Sequence, residues 1–175
     1  LAEYIVSRCG LDEVWLVVSP NNPLKKATEL LDENLRLKMV DMAIKDSGKK
    51  CIRSSDIEFS MPKPSYTINT LQRLTELYPK HNFSLIIGAD NMALFNRWKD
   101  YELILRDFQI IVYPRKGDDI LSLSKVYPQM TILADAPLFD VSSTMIRSKI
   151  KEGEDISPYV SPSVCQMLYQ ISSLC

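Results

Sequence analysis

Short apolar runs of β-prone residues, each closed by a turn signal and separated from the next by a helical pattern, most constrain what this chain can become. Val14-Trp15-Leu16-Val17-Val18 is a buried strand ended by Ser19-Pro20-Asn21-Asn22-Pro23, which stops a strand and makes a loop. Residues 83–88 and 108–113 read as two further buried strands, 131–133 as a shorter one, and 50–57 alternates weakly enough to be a strand as well. Helical periodicity fills the intervals. Asp32 can cap a helix that places Leu35, Met39, Ala43 and Ile44 on one face and stops at Gly48. After the two prolines of Met61-Pro62-Lys63-Pro64-Ser65, a helix from about Thr67 carries Ile68, Leu71, Leu74 and Leu77 inward, and Pro79 ends it. Residues 89–105 read as an interrupted helix. Two helices close the chain, one starting at Ser142-Ser143-Thr144 and one with Ser161 as N-cap, Pro162 in its first turn, and Val164, Leu168 and Ile171 inward. Strands alternating with helices imply an α/β fold in three layers around a parallel sheet.

At 175 residues and 46% apolar content the chain is expected to form a single domain, 1–175, with one core. A net charge of −1, from 21 basic and 22 acidic residues, offers no broad field for a nucleic-acid backbone or an anionic membrane, so small-molecule partners are expected. Cys9, Cys51, Cys165 and Cys175 have neither disulfide-framework nor zinc spacing, and no apolar stretch approaches the roughly 20 residues that cross a bilayer. A soluble protein in the reducing cytoplasm is the expectation. Leu1-Ala2-Glu3-Tyr4-Ile5-Val6 reads like the middle of an amphipathic helix, which suggests that a preceding segment is missing.

In an open parallel sheet, ligands sit beyond the carboxyl ends of the strands. Four strand exits carry chemistry. In 139–147, Ser142, Ser143 and Thr144 open a helix whose free N–H groups and positive dipole end suit a phosphate, with Arg147 one turn in; the plain alternative is an N-cap and a solvated arginine. Gly88-Ala89-Asp90 lets backbone approach a ligand while the carboxylate accepts hydrogen bonds from ribose hydroxyls, or is simply a strand exit and helix cap. Lys25 and Lys26, after the turn containing Asn22, can neutralise phosphates or stay solvated. Pro114-Arg115-Lys116-Gly117 is the fourth. Trp98 falls where the helical pattern falters and can stack on a flat heterocycle or fill the core. His81, the chain's one histidine, belongs on the surface, because no second histidine exists to share a metal.

In order, 19–23, Pro64-Ser65-Tyr66-Thr67-Ile68-Asn69-Thr70-Leu71, Leu85-Ile86-Ile87-Gly88-Ala89-Asp90, 95–98 and Val141-Ser142-Ser143-Thr144-Met145-Ile146-Arg147 resemble the bacterial nicotinate-nucleotide adenylyltransferases. The resemblance covers nearly the whole chain and implies a Rossmann-like nucleotidyltransferase fold. It implies transfer of the adenylyl group of ATP to nicotinate mononucleotide, with Mg2+ on the phosphates and no covalent intermediate. ATP binding would fall to Gly88, Asp90, Ser143, Thr144 and Arg147, with Arg147 the catalytic candidate on the phosphates and Asp90 near a ribose. Trp98 would stack on the pyridine ring, amides near Thr67 and Lys99 would face its carboxylate, and Arg115 would approach the mononucleotide's phosphate. Asn22 and Lys25 complete the substrate-binding set.

Two positions depart from the family's pattern. Members open with a glycine-rich strand exit and a G-x-F-x-P-x-H-x-G-H segment whose histidines contact ATP phosphates, and this sequence contains neither. An N-terminally incomplete polypeptide, short of one central strand and nearly inactive by itself, is therefore expected. Lys99 stands where a tyrosine often follows the tryptophan, with little effect expected because the contact there is made by backbone. Two alternatives remain: a sister transferase acting on nicotinamide mononucleotide or phosphopantetheine, and a catalytically silent nucleotide-binding module. Homo-oligomerisation is open.

Overall fold

The computed structural model describes residues 1–20, 31–115 and 125–172. In chain order its elements are α1 (Ala2–Cys9), β1 (Val14–Val17), α2 (Glu33–Ser47), β2 (Ile52–Ser55), α3 (Thr67–Leu77), β3 (Ser84–Gly88), α4 (Ala89–Met92), α5 (Tyr101–Asp107), β4 (Gln109–Tyr113), β5 (Thr131–Ile132), α6 (Ser143–Lys151) and α7 (Pro162–Ser172). All five expected strands are present and every pairing is parallel: β1 with β2, and β3 with β4 with β5. The fold is α/β and Rossmann-like. The chain divides into two compact units, one built from 1–20, 31–60 and 141–172, the other from 61–115 and 125–140 of the described residues.

In the first unit, local signals set the ends of the elements. The Asp32 carboxylate accepts from the amides of Asn34 and Leu35 and starts α2; Gly48, at φ 65°, ends it in the left-handed conformation that costs glycine little. The apolar face of α2 is only half-buried, since Leu35, Met39, Ala43 and Ile44 all keep some exposure where the helix covers β2 and α7. Strand β1 also departs from the expected continuous burial: Val14 and, just past its end, Val18 are buried, whereas Leu16 is exposed. Val14, Leu16 and Val18 point to the same face of the strand, so cover is lost in the middle of that face, while Trp15 and Val17 on the other face are half-buried. Ile146 of α6 packs with Ile156 and Cys165 in a small core. Helix α7 takes its cap from far away, because the Asp46 carboxylate of α2 accepts from Ser163 N (2.9 Å) and Ser163 Oγ (2.7 Å). These hydrogen bonds hold Asp46 below the ordinary aspartate value, the Ser163 hydroxyl contributing most.

The second unit holds the larger core. Ile68, Leu71, Ile87, Met92, Phe95, Ile104, Ile110 and Val112 form one buried cluster between α3, α5 and the β3-β4-β5 sheet. Fully burying side chains of this size stabilises a fold by about 1.5–3 kcal/mol each. The interruption read in 89–105 is real: α4 ends after one turn, Phe95–Arg97 forms a 3-10 turn, and α5 begins at Tyr101. His81 is exposed, as expected, and lies parallel to Phe83 with ring centres 6.0 Å apart. Cys9, Cys51 and Cys165 are free thiols.

Candidate functional site

The ends of β3 and β4 make the best-defined site in the second unit. The parallel register sets Gly88 opposite Tyr113, so the residues that follow, Asp90 and Arg115, leave the sheet side by side. Arg115 Nη1 lies 3.2 Å from Asp90 Oδ2, and Asn91 Nδ2 donates to Asp90 Oδ1 at 3.2 Å. The Arg115 guanidinium also sits 6.0 Å from the centre of the Tyr113 ring. Gly88 is their floor. A Cβ built there would stand 2.4 Å from Asp90 Oδ1 and 3.1 Å from Arg115 Nε, so the close approach requires glycine although its backbone, at φ −75°, does not. An exposed carboxylate beside an exposed guanidinium can accept from a sugar's hydroxyls and donate to a phosphate respectively.

A second group surrounds the start of α3. Tyr66 is its N-cap residue and supplies no side-chain cap, so the first amides of the helix, at Thr67 and Ile68, have no partner inside it. Lys99 Nζ stands 4.8 Å from the centre of the Tyr66 ring, a cation-π contact. Trp98 is half-buried and tilts against Phe95, ring centres 5.3 Å apart, at the rim of the core. Its indole N–H is buried with no partner among the described residues. Core packing thus accounts for part of the Trp98 surface and leaves part open. Asp100, two residues on, adopts the left-handed conformation at φ 50° and turns the chain into α5.

The start of α6 belongs to the first unit. Ser142 Oγ accepts from Met145 N at 3.1 Å, the N-cap that the plain reading expects. The cap uses one of the helix's free amides and leaves those of Ser143 and Thr144 at an exposed positive dipole end. Arg147 Nη2 donates to Thr144 Oγ1 at 3.2 Å, which swings the guanidinium back toward that end. Capping and anion binding are therefore compatible here. Buried Ile146 holds the helix while Ser143, Thr144 and Arg147 stay exposed.

Asn22 and Lys25 lie outside the described residues, as do Lys26, Lys116 and Gly117. One residue passed over in the sequence is Arg36, whose guanidinium bonds the backbone at the exit of β1. Its only sequence signal is an arginine in the first turns of the helix that follows a strand-exit loop. Among the described residues no three His, Cys, Asp or Glu side chains group so as to hold a metal ion, and no helix is long and apolar enough to cross a membrane.

The cytidylyltransferase-like family model matches residues 1–149. The chain is 45% identical over 169 residues to a Flavobacterium johnsoniae protein named "Probable nicotinate-nucleotide adenylyltransferase", covering 96% of this chain and 86% of the relative. A Bacteroides fragilis protein of the same name is 44% identical over 170 residues, 97% of this chain and 83% of the relative. Among solved structures, Plasmodium falciparum nicotinic acid mononucleotide adenylyltransferase, complexed with NaAD, superposes with a TM-score of 0.77 over 99% of this chain and 90% of that one. Its 20% identity makes this a likeness of fold.

Proposed function

Because the chain belongs to the cytidylyltransferase-like family, and within it to the nicotinate-nucleotide adenylyltransferases, we infer that it transfers the adenylyl group of ATP to nicotinate mononucleotide. A phosphate oxygen of the mononucleotide attacks the α-phosphorus of ATP, the bond from that phosphorus to the β-bridging oxygen breaks, and pyrophosphate leaves. The product is the deamido form of NAD. The attacking phosphate is already ionised, so the protein's task is to position two polyanions and neutralise the charge growing on the leaving group.

The observation that carries this reading is the start of α6, where an exposed, Ser142-capped helix end and the returned Arg147 guanidinium form one cationic face. Ser143, Thr144 and Arg147 act on the ATP phosphates. Asp90, beside Gly88, takes a ribose, and Arg115 the mononucleotide's phosphate. The open part of Trp98 stacks on the pyridine ring, while the first amides of α3, at Thr67 and Ile68, and the backbone at Lys99 meet its carboxylate. Asn22 and Lys25 are assigned to the acceptor. Mg2+ enters with the nucleotide substrate, on its phosphates. A cytoplasmic location accords with the free thiols of Cys9, Cys51 and Cys165.

Pyrophosphate release tests the reaction, measured on the full-length protein, including any residues that precede Leu1, with ATP and either nicotinate or nicotinamide mononucleotide. Faster turnover of nicotinate mononucleotide is expected, because it alone offers a carboxylate to amides near Thr67 and Lys99. Turnover only with nicotinamide mononucleotide or phosphopantetheine would overturn the acceptor assignment.

A further inference from the structure

The two tryptophans of the chain are anchored differently. Trp15 Nε1 donates to Glu13 Oε2 at 2.9 Å, whereas the buried Trp98 Nε1 has no partner among the described residues. A buried indole N–H ordinarily finds an acceptor, which helps to set the direction of its ring. At Trp98 that direction is left to packing, and Phe95 meets it through both backbone and side chain. Trp98 N donates to Phe95 O at 3.0 Å, closing the 3-10 turn Phe95–Arg97, and the two rings lie 5.3 Å apart with 50° between their planes. Phe95 is 0% exposed, and Tyr101 and Tyr127 meet it edge-to-face, each with ring centres 5.9 Å away, at 83° and 86°.

We propose that Phe95 is a positioning residue that sets the plane of Trp98 for stacking on the pyridine ring of the acceptor. A fully buried ring with two aromatic neighbours crossing it cannot turn without displacing them, because a close-packed interior leaves no spare volume. It therefore presents a fixed flat surface. Trp98, with no hydrogen bond to its indole N–H, takes its plane from that surface, and stacking depends on the plane because the attraction between flat rings is strong only in certain mutual orientations. Leucine at 95 would keep the core apolar but offer no flat face, so the indole would lose its set direction. Phe95 acts through Trp98 and not on the ligand. The proposal rests on the preceding reading, in which the open part of Trp98 stacks on the pyridine ring.

The test is steady-state kinetics of the full-length protein, any residues before Leu1 included, as wild type, Phe95→Leu, Trp98→Ala and the double variant, with KM taken separately for ATP and nicotinate mononucleotide. Phe95→Leu should raise the acceptor KM about 10-fold or more, with kcat and the KM for ATP within about twofold of wild type. Once Trp98 is alanine, adding Phe95→Leu should change the acceptor KM by less than about twofold, because no indole is left to orient. An unchanged acceptor KM in Phe95→Leu, equal rises for both substrates, or effects that multiply in the double variant would overturn the proposal and leave Phe95 a purely structural residue. If the leucine variant does not fold, Phe95→Met decides, since it too is apolar and without a ring. An unchanged acceptor KM in Trp98→Ala would sink the stacking reading itself, and the proposal with it. Should wild type turn over nicotinamide mononucleotide instead, the nicotinate assignment fails on that control, and the same comparison with that pyridine acceptor judges Phe95.

Discussion

Arg115 Nη1 lies 3.2 Å from Asp90 Oδ2, a guanidinium and a carboxylate closing over Gly88 at the neighbouring exits of β3 and β4. Their separate assignments, phosphate for one and ribose for the other, thus concern groups that orient each other. Such mutual orientation lowers the cost of arranging either group when substrate arrives.

Replacing either member should therefore affect activity far more than stability. The side chains are 52% and 44% exposed, and exposed ion pairs contribute at most about 1 kcal/mol. Asp90→Ala and Arg115→Ala are each expected to lower kcat/KM about 10-fold or more while the melting temperature barely moves. Their combined loss should be smaller than the sum of the single losses, because each substitution already removes the group that orients the remaining residue. Additive losses in that cycle would mean that the pair does not act as a unit.

Gly88→Ala probes the same corner from below. The new Cβ meets the ends of two movable side chains, Asp90 Oδ1 and Arg115 Nε, while backbone φ is ordinary. The fold should accept the methyl group and the ion pair should shift. Near-native thermal stability with kcat/KM down about 10-fold or more is the expected result. A variant with wild-type kinetics would show that the pair's position does not matter.

Arg147→Ala removes the charge that Thr144 turns toward the start of α6. Loss of one donor to a developing oxyanion typically costs about 10²- to 10³-fold in rate. Pyrophosphate release should fall by that factor in kcat, with Arg147→Lys recovering a part through its charge. A tenth or more of wild-type kcat in the alanine variant would move the phosphate site elsewhere.

Asp46 predicts a pH dependence of stability. Its native carboxylate titrates below the ordinary 3.8, chiefly through the Ser163 hydroxyl and amide. A carboxylate with a lowered native value binds its proton more weakly folded than unfolded, so its contribution is present above the ordinary value and is lost as pH falls through the native one. Wild type should melt above Asp46→Ala by a constant margin from about pH 7 to about pH 5, and the margin should close below about pH 4. A margin independent of pH down to about pH 3 would place the effect in packing rather than in the charged cap.

The order and type of the elements were legible in the sequence because their signals are local. Strand runs closed by proline or glycine, the Asp32 cap, the Gly48 stop and the Ser142 cap each act within a few residues, and each recurs in the structure. The Ser-Ser-Thr start with Arg147 was legible for the same reason, being contained in one turn of helix. Burial was less so: Leu16 is as apolar as its neighbours and stays exposed, since cover depends on what packs above a strand and not on the strand's own residues.

Contacts between distant segments belong to the tertiary structure alone. Asp46 caps a helix 117 residues away, Arg36 bonds carbonyls 16 and 17 residues before it, and Asp90 meets Arg115 only because β3 and β4 pair in one register. A side chain's hydrogen-bonding capacity can be read from its identity, but its partner is chosen by packing that brings remote backbone within about 3 Å. The sequence by itself determined which segments become strands and helices and which residue types stand at their exits; the folded chain decided which of those residues hold one another in place.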